Sequence, residues 1–120
     1  MPEYLVIDVK DHIVQVTVSG AFKLQNAKTF FLEILKRAQE ENLYKILIDT
    51  RGISSNVSTV DRFEIAVHMA EQQAFPMKIA FIATEEMVKP EAFMEIAAVN
   101  RGVNTKVHTD KQEALNWLAE

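Results

Sequence analysis

Two short runs, Lys45–Thr50 (Lys-Ile-Leu-Ile-Asp-Thr) and Lys78–Ala83 (Lys-Ile-Ala-Phe-Ile-Ala), are apolar at nearly consecutive positions. A strand with one wet face alternates, whereas a strand covered on both faces does not. Each run therefore predicts an inner strand with a packed layer above and below. Helical spacing fills the gap between them. Before the first run, Ala27, Phe30, Phe31, Ile34, Leu35 and Ala38 form one apolar stripe, with Lys28, Glu33, Lys36, Arg37 and Glu40 opposite. Asn26 is the candidate N-cap of that helix.

The remaining elements follow the same logic. Tyr4–Val9 and Ile13–Val18 are β-type runs around a polar break, Lys10-Asp11-His12, which suggests a hairpin. A helix is expected from about Ser58 to Gln73, and another from near Pro90, since proline suits the first helical turn. The second of these ends at Arg101-Gly102. Val103–His108 reads as a last strand, and Asp110 caps a final helix carrying Ala114, Leu115, Trp117 and Leu118. The order β-β-α-β-α-β-α-β-α predicts an α/β domain. Its sheet is expected to be five-stranded, mixed and mostly parallel, with four helices packed on it. All 120 residues are assigned to one domain.

Composition narrows the function classes. With no cysteine there are no disulfides, thiolate metal sites or cysteine nucleophiles, and a reducing compartment is favoured. The net charge of -4 is spread along the chain, without a basic run to follow a phosphate backbone, so nucleic acid is not an expected partner. No apolar stretch approaches the ~20 residues that span a bilayer. The opening Met1-Pro2-Glu3-Tyr4 carries no secretory pattern, and the chain reads as cytoplasmic. The three glycines, Gly20, Gly52 and Gly102, open no phosphate-binding loop. His12, His68 and His108 show no helical metal spacing, and no metal or cofactor is expected. Glu64 and His68 lie four apart on one helix, and Glu85-Glu86 follow a strand. Both are expected to be solvated side chains rather than catalytic ones.

One segment stands apart. Asp49-Thr50-Arg51-Gly52-Ile53-Ser54-Ser55-Asn56-Val57-Ser58-Thr59-Val60-Asp61-Arg62 runs from the C-terminal end of a buried strand through a polar loop into a helix. Ligands of open α/β sheets gather at such places, and a helix N-terminus attracts anions. Ser58, Thr59, Arg51 and Arg62 are the candidate anion or phosphorylation site. The competing reading is a plain cap, because Ser58-x-x-Asp61 fits a loose capping box. On the same helix, Val60, Phe63, Val67, Ala70 and Ala74 form the stripe expected to face the sheet. That leaves Ser58, Arg62, Ile65, Met69 and Gln72 as an outward row, the candidate partner-docking face. A neighbouring loop or a second copy of the chain covering that row is the alternative.

Read together, the opening strands, the Ala27–Ala38 helix, Ile46-Leu47-Ile48-Asp49-Thr50-Arg51-Gly52-Ile53, Asp61-Arg62-Phe63 and the closing Val107-His108-Thr109-Asp110-Lys111-Gln112-Glu113-Ala114-Leu115-Asn116-Trp117-Leu118 resemble the STAS domains. The likeness is to the SpoIIAA-like branch of the anti-sigma-factor antagonists, and it spans nearly the whole chain. It implies a non-enzymatic regulatory domain whose partner is another protein, such as a kinase-like anti-sigma factor or other signalling protein. A homodimer is a separate expectation, from the second copy that would cover the outward row. Laying the antagonists' Asp-Ser-Ser-Gly motif on this chain puts Ser58 at the phosphorylated position and Thr59 at the next hydroxyl. Val57 and Val60 replace the aspartate and the glycine. The SEC14-type domains share the architecture, so a carrier of a lipid or other small apolar ligand is the alternative function.

Overall fold

The computed structural model describes residues 4–73 and 75–120. Strands β1 (Tyr4–Lys10) and β2 (Ile13–Gly20) pair antiparallel with Lys10 opposite Ile13. The two-residue turn holds Asp11 and His12 at φ 54° and 64°, the left-handed geometry of a tight hairpin whose twist matches its strands. Helix α1 (Leu24–Glu40) crosses to β3 (Lys45–Ile53), α2 (Thr59–Gln72) to β4 (Lys78–Ile82), and α3 (Val88–Val99) to β5 (Asn104–His108), with α4 (Lys111–Ala119) last. The sheet order is β1-β2-β3-β4-β5, and β2 to β5 run parallel. The expected element order and mixed sheet are both found.

Because the parallel strands step in one direction with right-handed crossovers, α1, α2 and α3 fall on one face. There Val14, Val16, Ile46, Ile48, Ile79 and Phe81 meet Phe31, Ile34, Ala66, Met69 and Met94 in the larger core. On the opposite face Leu47, Ala80 and Ile82 pack against Ala114 and Leu118 of α4. The two apolar runs are thus covered on both sides, and this is why they do not alternate.

Boundaries moved where local chemistry overrode the simplest reading. Helix α1 begins before Asn26: Lys23 is its N-cap, without a side-chain cap, and the Lys23 carbonyl already accepts the Ala27 N–H at 3.0 Å. Asn26 therefore lies inside the first turn. Helix α3 starts at Val88, with Pro90 third in the helix, where its missing N–H leaves no bond unmade. Gly102, at φ 88°, ends that helix, and the Val103 N–H returns to the Ala98 carbonyl at 3.1 Å. Strand β3 runs on to Ile53 past a register shift between Thr17 and Ser19. At Gly52 a Cβ would come within 2.9 Å of the Ser19 Cβ, so the close approach there calls for glycine.

The largest correction concerns the faces of α2. Val60 is 69% exposed and Phe63 is also exposed, whereas Met69 is 1% and Arg62 7% exposed. Ala66 is buried, while Ile65 and Ala70 are half-buried against the larger core. The row Arg62–Ile65–Met69 faces the core rather than solvent, and only Ser58 and Gln72 of the expected docking face are exposed. Ala74 of the expected inward stripe lies outside the described residues. The physical reason is a buried ion pair: Arg62 Nε donates to Glu91 Oε1 of α3 at 2.9 Å. A satisfied guanidinium can face a core, and a hydrophobicity pattern scores it as surface.

Candidate functional site

The junction from β3 to α2 lies at the C-terminal end of the sheet. Strand β3 alternates there, sending Ile48 and Thr50 to the larger core, where Thr50 Oγ1 donates to the Ile82 carbonyl at 2.9 Å. Asp49 and Arg51 point to the other face. Arg51 is tied to Asp49 by Nε–Oδ1 and Nη2–Oδ2 bonds of 3.0 and 2.9 Å, and its backbone N–H donates to the same carboxylate. Burial opposes ionisation of Asp49, but the Arg51 hydrogen bonds and charge outweigh it and hold the carboxyl below its ordinary range.

Beyond the strand, Ser54, Ser55 and Asn56 are exposed. Ser55 Oγ accepts the Phe22 N–H at 2.7 Å and so fastens this loop to the β2–α1 loop. Val57 turns inward and is buried. Ser58 is the N-cap of α2, its hydroxyl accepting the Asp61 N–H at 3.0 Å, as the capping box predicts. Thr59 is exposed beside it.

Arg62 does not join this exposed group. Its guanidinium runs under the loop, donating to the Val57 carbonyl as well as to Glu91. One side chain thereby links the loop, α2 and α3. Burial pushes the Glu91 carboxyl above the ordinary carboxylate range, against the pull of the Arg62 hydrogen bond and charge. Both arginines of the candidate anion site are thus engaged with carboxylates, Arg51 on one face of the sheet and Arg62 beneath the other. Glu91 had no signal in the sequence, because nothing local marks a glutamate in a first helical turn as the partner of an arginine on another helix.

Behind the loop, α1, α2 and the sheet enclose a cavity of about 90 Å³, walled mainly by Phe22, Phe31, Ile53, Val57, Ile65 and Met69. Its polar rim is already bonded within the protein: His68 Nε2 lies 3.2 Å from the Lys28 carbonyl, and the His68 ring meets Phe31 edge-on at 5.9 Å. Glu64, the sequence-level partner of His68, instead pairs with Lys28 at 3.8 Å. Glu85 and Glu86 are exposed in the loop before α3. Among the described residues no three His, Cys, Asp or Glu side chains are grouped to hold a metal ion.

On the far face, His108 is buried against Trp117, with ring centroids 5.8 Å apart, and its Nε2 has no hydrogen-bond partner among the described residues. Burial, and then the nearby Lys106 charge, lower its pKa below the ordinary histidine value. Lys78 Nζ caps the end of α4 through the Trp117 carbonyl at 2.6 Å and lies over the indole ring. No helix among the described residues is long and apolar enough to cross a membrane.

No protein-family model matches the chain, and no curated protein matches it. Among solved structures it is similar to an uncharacterized protein of the DUF3478 family from Shewanella loihica PV-4, which has a SpoIIAA-like fold. The two share 16% identity at a TM-score of 0.57, over 97% of this chain and 93% of that one. At that identity the likeness speaks for architecture alone, and the chain has a SpoIIAA-like fold.

Proposed function

We propose that this chain is a non-enzymatic regulatory module that binds another protein through the outer face of α2 and α3. The observation that supports it is a set of large apolar side chains left in solvent: Val60 and Phe63 on α2, and Phe93, Ile96 and Val99 on α3. The two helices pack side by side, with the Arg101 guanidinium after α3 lying 4.8 Å over the Phe63 ring. Single exposed apolar residues are ordinary, but several on adjoining helices mark a surface suited to a protein partner. This face replaces the Arg62–Met69 row as the docking surface.

Ser58, the exposed N-cap of α2 two residues before Val60, is the proposed modification site. A phosphate there would be favoured by the helix dipole and opposed by Asp61. Arg62, held beneath by Glu91, is not free to receive it. The carrier reading is disfavoured by shape: pockets for small ligands are concave and run to ~300–1,000 Å³. The apolar cavity behind the loop holds about 90 Å³, and the larger clefts beside Tyr44 and Phe75, and beside Gln73 and Gly102, lie open to solvent.

The test is capture from native-host lysate on immobilised protein, comparing wild type with Ile96→Asp and Phe63→Asp, and with Tyr44→Asp, an exposed side chain on neither helix. The reading expects one partner protein retained by wild type and Tyr44→Asp and lost by both helix variants. A partner retained by all of them, or an apolar small molecule recovered from the cavity in stoichiometric amount, contradicts it.

A further inference from the structure

The sheet has two outer edges, and they are finished differently. At β5 the backbone N–H of Val107 faces away from β4 and donates to Glu95 Oε1 of α3 at 2.6 Å. A helix side chain thus blocks that edge against further strands. At β1 the outward groups belong to Leu5, Ile7 and Val9, because the Val9 N–H leaves the β1–β2 ladder and turns back to its own neighbour, Asp8 Oδ1, at 2.9 Å. Among the described residues nothing else covers this edge. It is seven residues long and carries a single acid and a single base.

From these features we infer that β1 is a self-association edge, pairing antiparallel with β1 of a second copy about a twofold axis at Ile7. An isologous contact requires a self-complementary strand, and this register makes β1 one. Ile7 meets Ile7 of the other copy, Leu5 meets Val9, Val6 meets Asp8, and Tyr4 meets Lys10, so all seven residues pair and no charge directly opposes its like. Leu5, Ile7 and Val9 are half-buried and already packed on the larger core. The second copy would continue that apolar row across the joint and join the two sheets into one. On the other face the exposed Tyr4 and Val6 would be covered by Lys10 and Asp8 of the second copy. Shifting the axis to Asp8 would set two carboxylates against each other, and shifting it elsewhere along β1 would leave strand residues unpaired, so charge and pairing length together favour the axis at Ile7. The partner is a second copy of this chain, a different occupant and surface from the proposed docking face on α2 and α3.

The absence of cysteine makes the test clean. Sedimentation equilibrium of the full chain should show a monomer–dimer equilibrium, weakened at least about tenfold by Ile7→Lys, which sets two ammonium groups on the axis. Circular dichroism checks that this variant is folded. Under mild oxidation Ile7→Cys should form a disulfide dimer, because residues paired at an antiparallel axis lie about 5.5 Å apart. Leu5→Cys alone should not, while Leu5→Cys combined with Val9→Cys should. A wild-type chain that stays monomeric at every concentration overturns the proposal. So does cross-linking through Leu5→Cys alone, or a dimer untouched by Ile7→Lys while the fold is intact.

Discussion

Helices α1 and α2 do the same topological job, each carrying the chain from one parallel strand to the next across the same face of the sheet. Their sequences solve it in opposite ways. On α1 the buried residues Phe31, Ile34, Leu35 and Ala38 are the apolar stripe itself. On α2 the buried residues are Arg62, Ala66 and Met69, while Val60 and Phe63 stand in water. Hydrophobicity alone orients α1. An ion pair to a third helix orients α2, and it turns an apolar face outward where a partner can reach it.

The contrast can be broken most directly at Arg62. Arg62→Ala should destabilise by about 3–5 kcal/mol in urea unfolding, because it strands the buried Glu91 carboxylate. Replacing both members with apolar residues of similar size, Arg62→Met with Glu91→Leu, should recover most of that loss. If Arg62→Ala were neutral, the pair would not hold α2. Next in size is Met69→Ala, expected to cost about 2–5 kcal/mol as a core cavity, whereas Val60→Ser one face away should stay within about 0.5 kcal/mol. Equal losses at both positions would erase the difference in facing.

A smaller effect sits at the helix start. Ser58→Ala should cost about 1 kcal/mol, the worth of a cap, and α1, which starts without a side-chain cap, offers no matching site. Finally, Glu91 binds its proton more tightly in the folded chain than in the unfolded one. Stability from this site therefore falls as pH rises from the ordinary glutamate value through the raised folded one. Arg62→Met removes the charge that restrains the shift. Its stability, measured by urea unfolding across pH, should fall more steeply than wild type as pH rises out of the acid range. Parallel curves would show that Arg62 and Glu91 do not interact.

Most of the fold was legible because its signals are local or periodic. The double-covered runs at Ile46–Ile48 and Ile79–Ile82, the hairpin break at Asp11-His12, the Ser58 and Asp110 caps and the turn at Gly102 each depend on a few neighbouring residues. The site was legible only as a place. The β3–α2 junction was found from strand order and capping chemistry, but the destinations of its arginines were not. Arg51 reaches two residues back to Asp49, and Arg62 crosses to another helix. The Arg62–Glu91 pairing spans 29 residues of chain and is set by the packed structure, so Arg62 read as surface and Val60 as core. The edge chemistry at Glu95 and Val107 was hidden for the same reason.

Thiol labelling tests the facing of α2 most directly, since the chain contributes no cysteine of its own. In single variants Val60→Cys and Met69→Cys, under native conditions, Val60→Cys should react with a small thiol reagent as fast as an unfolded peptide. Met69→Cys should react only as fast as the protein opens. Rapid labelling at position 69 with protection at position 60 would contradict the inward turn of the Arg62–Met69 row, and with it the proposed docking face.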